Sequence, residues 1–256
     1  MTRNLLTRRS ALTGLIGGGS GLLLSGCDRL VQIPGVLSML ESAELLSRHA
    51  QRAVLRDGRP LAREYARADI SRNFKANGTT RPSGEDYARF AMSGFADYRL
   101  KIDGLVARPL DLSLEQIRQL PSRTQITRHD CVEGWSAIGE WTGVQLSTLL
   151  QMAGLGNGTR YIVFHCADNL AGQGLYYESI DLVDAFHPQT IMAYAMNGAT
   201  LPIPHGAPLR LRVERQLGYK MAKYVMRIEA VESFAMIGRG RGGFWEDLGY
   251  EWYAGI

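Results

Sequence analysis

Cys131 is the residue best placed to do chemistry in this chain. It lies in Thr127-Arg128-His129-Asp130-Cys131-Val132-Glu133-Gly134-Trp135, between a strand-like run and a turn, with His129 two residues before it. A thiolate is both nucleophile and metal ligand, and the residues leave several readings open. Cys131 can be a small buried hydrophobe. It can be a nucleophile with His129 as base, since residues two apart share one face of a strand. It can pair with Cys166 in an oxidising compartment, or bind a soft metal. A zinc site is disfavoured, because no second Cys or His stands at finger-like spacing. His129, His165 and His187 read as structural.

One cysteine cannot hold a metal alone, but it can where an organic dithiolene supplies the other sulfurs. Such a group is anionic through its phosphate, so the chain must offer Arg, Lys, His and backbone donors. Two stretches do so: Ile203-Pro204-His205-Gly206-Ala207-Pro208-Leu209-Arg210 and Gly218-Tyr219-Lys220-Met221-Ala222-Lys223. Gly206 and Gly218 would allow close backbone approach to the phosphate.

Asp130-Cys131-Val132-Glu133-Gly134-Trp135, followed by Trp141-Thr142-Gly143-Val144, resembles the molybdenum-ligand segment of the sulfite oxidase family. Met196-Asn197-Gly198, Leu201-Pro202, His205 to Leu211 and Gly218 to Tyr224 resemble its second signature, and Asn73-Phe74 its early pterin-contacting loop. The similarity runs in the family's order over residues 70 to 234.

The resemblance implies an α+β fold, sulfite oxidase-like and molybdopterin-binding, with mixed β-sheets and short helices. It implies a molybdenum–molybdopterin cofactor with Cys131 as metal ligand and catalytic residue. His205 and Arg210 would bind the pterin and its phosphate, Gly218, Tyr219, Lys220 and Lys223 would complete the cradle, and Asn73 and Phe74 would contact the pterin. Cys166 falls near the place where methionine-sulfoxide reductases of the family put a cofactor-contacting threonine, and is either a contact or a core residue. The implied chemistry is oxygen-atom transfer on a small-molecule or sulfoxide-type substrate. Arg128, Arg239 and Arg241 are candidates to stabilise an oxyanion, and Tyr250 or Tyr253 to stand at the site. No Cys-x-x-Cys-His occurs, so no c-type haem is expected in the chain; electrons would be exchanged with a membrane b-type cytochrome. The sequence stops at Ile256, short of an immunoglobulin-like dimerisation domain, which likens it to periplasmic reductase catalytic subunits. A Cys131–His129 thiol enzyme and a non-catalytic lipoprotein scaffold are the alternatives.

The elements that would position these residues are short. Val36 to Leu55 has helical spacing, with Gly58 and Pro60 as stops, and either bridges an anchor to the catalytic part or packs on a membrane partner. Residues 71 to 84 read as an ordered loop. Arg99 to Val106 reads as a hairpin turning at Asp103-Gly104. Leu114 to Leu120 and Leu146 to Ala153 suit helices; Tyr161 to Cys166, Leu209 to Val213 and Tyr224 to Val231 suit strands. Gly238 to Gly243 suggests a loop at the rim of the site or a phosphate- or RNA-contacting turn.

The first 26 residues read as an address. Arg8-Arg9 and the short glycine-rich apolar run resemble a twin-arginine signal, and Leu24-Ser25-Gly26-Cys27 a lipobox. The expected organisation is 1–26 signal peptide, 27–68 anchor and helical segment, 69–256 oxidoreductase domain. That places the protein on the periplasmic side of a bacterial inner membrane, lipid-anchored at Cys27. Three of the 29 basic residues lie in the signal; the other 26 face 25 acidic ones, a net of +1. A nucleic-acid partner therefore lacks the basic face it needs.

Overall fold

The computed structural model describes residues 34–54, 60–172 and 174–256. The signal and lipobox expectations fall outside them. The chain divides into two compact units, Met1–Ala50 and Gln51–Ile256. In the first, the described part is most of helix α1 (Pro34–Val54). Among the described residues no helix is long and apolar enough to cross a membrane.

The second unit is built on two sheets interleaved along the chain. Strands β1 (Arg99–Gly104), β2 (Leu110–Ser113), β5 (Tyr161–Asn169), β6 (Leu175–Asp181) and β10 (Val225–Val231) form one, in the order β2-β1-β10-β5-β6. In it β1 and β10 run parallel and the other pairs antiparallel, so the sheet is mixed. Strands β3 (Ser122–Asp130), β4 (Ser136–Gln145), β7 (Ile191–Met196) and β8 (Ala199–Thr200) form the other, with β9 (Arg210–Arg212) paired to β7. Helices α2 (Glu85–Met92), α3 (Leu114–Gln119), α4 (Leu146–Ala153) and α5 (Leu182–Ala185) are short. The class is α+β, as the sequence implies.

One apolar core draws on both sheets. Leu100, Ile102, Ile162, Phe164 and Ile228 come from the first, Val144, Met192 and Leu211 from the second. α4 buries Leu146, Leu149, Leu150 and Ala153, a single helical stripe, and stops at Gly154 in a left-handed backbone. α3 starts at Ser113, whose hydroxyl accepts from the Gln116 backbone while the Gln116 side chain answers the Ser113 N–H.

Two boundaries differ from expectation. The β1–β2 hairpin exists, but its turn lies at 105–109: Asp103 and Gly104 continue β1 and pair with Glu229 and Ala230 of β10. Gly104 is needed there because a side chain would strike the Ala230 carbonyl, not because it turns. Residues 60–68, grouped by sequence with the anchor, are tied to the catalytic unit, with Ala62 N donating to Gln189 Oε1 at 2.7 Å and Tyr65 N to the Ile126 carbonyl at 2.9 Å.

Candidate active site

β3 and β4 form the hairpin that presents Cys131. Gln125, Thr127 and His129 alternate inward along β3, and the strand ends at Asp130. The chain then turns through Cys131 to Gly134: Cys131 N donates to the Trp135 carbonyl at 2.9 Å and Gly134 N to the Cys131 carbonyl at 3.0 Å. Asp130 accepts from the Ser136 hydroxyl at 2.6 Å, clamping the two strands. Glu133 accepts from Trp135 Nε1 at 3.0 Å and pairs with Lys75 at 3.1 Å. Cys131 is 7% exposed and looks into a cleft lined also by Asn77, Gly78, Val132, Glu133, Asp168, Leu170, Tyr176, Gly218, Tyr219, Met221, Lys223, Trp245 and Tyr250. The Asn77 amide stands 4.0 Å from its sulfur. Burial pushes the thiol above its ordinary value, against the pull of the Glu133 backbone amide.

His129 does not serve as its base. Among the described residues no hydrogen bond joins the two. His129 Nδ1 lies 3.1 Å from Arg212 Nη1 and 3.2 Å from Met221 Sδ, with the ring fully buried. Burial, then Arg212 and Arg210, holds its pKa well below the ordinary value, so it is neutral. The Cys131–Cys166 disulfide is also absent, both thiols being free. Cys166 is buried on β5 and borders a second cleft, with His165, Tyr177 and Arg239, rather than the Cys131 cleft.

Beside the Cys131 cleft lies an unusual concentration of buried positive charge. Arg210 is 2% exposed; Nη1 donates to the His205 carbonyl at 2.9 Å, the guanidinium lies 4.8 Å from the Trp141 ring, and Nε has no partner among the described residues. Burial and the neighbouring Arg212 push its pKa down to about 9. Lys223 donates to the carbonyls of Asn77, Thr79 and Pro204 at 2.7, 2.5 and 3.2 Å, yet burial and Arg210 push it down to about 7. Burial, Arg210 and Lys223 take His205 down to about 4. Arg212 alone of the group is neutralised, by a two-pronged bond to Glu214. Phe74 gathers the cluster, its ring 5.5 to 5.7 Å from those of Trp141, His129 and His205. Buried cations without a counter-anion are costly, so this region is made for an anionic group. Among the described residues no three His, Cys, Asp or Glu side chains converge to hold a metal ion unaided. A ligand bringing both sulfur donors and negative charge fits both facts.

Several sequence-predicted residues sit otherwise than expected. Lys220 is fully buried and its ammonium is shared by Glu178 and Glu246 at 2.5 Å each, so it is not a phosphate ligand. Gly206 and Gly218 are required by internal packing: a Cβ at Gly206 would stand 2.9 Å from Lys223 Cβ, and one at Gly218 would strike the His129 ring. Asn73 is exposed, while Phe74 packs inward. Tyr219 lines the cleft and its hydroxyl donates to the Glu251 carbonyl at 2.6 Å. Tyr250 reaches the cleft and Tyr253 does not, its hydroxyl bonding Gln51 at 3.0 Å. Arg128 pairs with Asp130 at 2.9 Å outside the cleft. The backbone amides of Arg239 and Arg241 bond Asp247 at 2.8 and 3.2 Å, fixing the glycine-rich loop away from Cys131. Asn77, Asp168, Tyr176 and Trp245 line the cleft and escaped the sequence reading.

Residues 89–235 match the family described as oxidoreductase molybdopterin binding domain. The chain belongs to that family. This molybdopterin-dependent oxidoreductase thus has the sulfite oxidase-like fold, and the anionic, sulfur-bearing group that its buried cations call for is the molybdopterin. A relative in Azospira oryzae, whose name describes a protein-methionine-sulfoxide reductase subunit, YedZ1, is 37% identical over 97% of this chain and 87% of its own length. The sulfane dehydrogenase SoxCD of Paracoccus pantotrophus superposes over 54% of this oxidoreductase and 39% of its own chain, with a TM-score of 0.49 and 27% identity. Asn77 and the Trp245–Tyr250 segment, both at the cleft, lie outside the family match.

Proposed function

We propose that this oxidoreductase is the catalytic subunit of an extracytoplasmic sulfoxide reductase acting on methionine sulfoxide, and that its electrons come from a membrane b-type cytochrome. The lining of the Cys131 cleft carries the reading. Among the described residues its acidic members are Glu133 and Asp168, its one cation is Lys223, already engaged by three carbonyls, and no arginine lines it. An anion such as sulfite would meet no free counter-charge there, whereas a neutral S=O group needs only a donor. The relative's name supports the same substrate class.

When bound, the molybdenum group supplies oxygen-atom exchange and two-electron storage. The chain supplies the rest. Cys131 would give its thiolate to the metal, with Asn77 donating to the sulfur. Arg210, His205 and Lys223 would hold the anionic part, which restores the charge balance that Arg210 and Lys223 now lack. Asp168, Tyr176 and Tyr219 close the cleft wall. In the overall reaction the S–O bond breaks, two electrons and two protons enter, and sulfide and water leave. The likeness of Arg8-Arg9 to a twin-arginine signal and of Leu24 to Cys27 to a lipobox supports export and anchoring on the periplasmic side.

The test is a purified holoenzyme, made with and without molybdate, assayed with reduced viologen against methionine sulfoxide and with ferricyanide against sulfite. Molybdenum-dependent sulfoxide reduction is expected. Sulfite oxidation without sulfoxide reduction would overturn the substrate assignment.

A further inference from the structure

We propose that Trp245 and Tyr250 form a substrate subsite, an aromatic shelf on the Cys131 cleft that takes the apolar arm of a neutral sulfoxide while the Tyr250 hydroxyl donates to its S=O oxygen. The proposal rests on the sulfoxide reading above and assigns residues to it. The two rings stack at 5.2 Å and 29°, and Tyr250 meets Tyr219 edge-on at 5.3 Å. Both residues line the cleft, and Tyr250 is 40% exposed, so the outer face and edges of the stack are open to a ligand. Aromatic faces and edges attract polarizable sulfur and apolar substituents.

Hydroxyl placement separates Tyr250 from the other two tyrosines of the cleft. Tyr176 donates to the Tyr219 carbonyl and Tyr219 to the Glu251 carbonyl. Among the described residues no hydrogen bond engages the Tyr250 hydroxyl, so this cleft-lining residue keeps a donor for an oxygen with no N–H or O–H of its own.

The shelf is fastened. Trp245 opens a 3-10 turn, Glu246–Leu248, whose first residue is gripped by the buried Lys220 at 2.5 Å. Asp247 accepts from the Tyr177 hydroxyl at 2.6 Å and from Arg239 N at 2.8 Å. Tyr250 N closes back on the Trp245 carbonyl at 3.0 Å, through Gly249 in a left-handed backbone. Held rings lose little freedom when a substrate settles on them.

The experiment compares methyl phenyl sulfoxide with dimethyl sulfoxide as substrates of the molybdenum-loaded holoenzyme and of its Trp245→Ala, Trp245→Phe and Tyr250→Phe variants, with reduced viologen as donor. For Trp245→Ala the ratio of kcat/KM for the phenyl over the dimethyl substrate should fall roughly tenfold, through KM, and Trp245→Phe should restore most of it. Tyr250→Phe should lower kcat/KM for both substrates by a similar factor, roughly tenfold. Molybdenum content and thermal midpoint, measured on each variant, identify one damaged in cofactor loading or folding; if Trp245→Ala is damaged, Trp245→Leu, which removes the ring but keeps apolar bulk, carries the comparison. An unchanged ratio in a loaded, folded Trp245→Ala or Trp245→Leu variant overturns the shelf. A wild type that reduces neither sulfoxide overturns the sulfoxide reading beneath it, and the two failures are read in different proteins.

Discussion

Replacing Lys220 by methionine tests the charge arrangement under the cleft. One ammonium faces two carboxyls with no access to water, and among the described residues Glu178 Oε2 and Glu246 Oε2 have no further partner. Burial and the neighbouring Glu246 hold Glu178 well above the usual carboxylate range. Burial works against the Lys220 charge, but the two carboxyls outweigh it and its pKa is raised. The triad is therefore neutral as a unit when Glu178 keeps its proton. Methionine removes the cation and obliges the folded protein to hold one more proton. Breaking a buried pair in this way costs about 3–5 kcal/mol near neutral pH, on the order of 10 °C in the unfolding midpoint for a unit of this size.

The pH dependence fixes the cause. A carboxyl whose folded pKa is raised contributes stability that is complete below its unfolded value, 4.5 here, and is lost as pH rises toward the folded value. Wild type has this slope from Glu178, and the variant gains a second carboxyl behaving likewise. The gap between the proteins should widen by about 1.4 kcal/mol per pH unit, so it nearly closes by about pH 5. Thermal unfolding of both holoenzymes across that range is the assay. Glu178→Gln, which keeps shape and neutrality, should cost less than about 1 kcal/mol. A pH-independent gap, or a costly Glu178→Gln, would refute the shared-proton account.

Other outcomes follow from the site. Cys131→Ser should abolish turnover while leaving the unfolding midpoint within a few degrees, checked by viologen assay and calorimetry; full turnover would remove Cys131 from the metal. Arg210→Met should have opposite signs in two states. It relieves repulsion with Arg212 and Lys223 and so stabilises cofactor-free protein, yet weakens cofactor retention roughly tenfold to a hundredfold, read as molybdenum per chain after dialysis. With Lys223 depressed to about 7 from an ordinary 10.5, unfolded chains bind more protons between those values, so its contribution to cofactor-free stability rises with pH across that window. An anion beside Lys223 raises that pKa. The midpoint difference between loaded and cofactor-free protein should accordingly shrink from about pH 7 to about pH 9.5, and Lys223→Met should flatten the trend.

Local signals were legible and distant ones were not. The Cys131 turn, α4 with its closing glycine and strands β5 and β10 follow from periodicity and turn residues within a few positions. Asp103-Gly104 resembles a hairpin turn, and what makes it a strand is a parallel neighbour 126 residues away in sequence, Glu229 and Ala230. Lys220 reads as a phosphate ligand because it follows Gly218-Tyr219; the two glutamates that claim it lie 42 and 26 residues off. His205, Arg210 and Lys223 stand out in the sequence because lysine, arginine and histidine near glycine are a local pattern. Trp245 and Asn77 carry no such pattern, and only folding brings them to Cys131.

The cleft has two authors within one chain. Cys131, Gly218, Tyr219 and Lys223 fall inside the stretch shared with the family, 89–235, whereas Asn77, Trp245 and Tyr250 come from the flanks on either side of it. The two flanks differ in what they touch: Asn77 meets the Cys131 sulfur and holds Lys223, whereas Trp245 and Tyr250 touch neither. Chimeras that exchange residues 236–256 alone, with Glu246 kept for Lys220, should therefore keep their molybdenum and change their taste in oxygen donors.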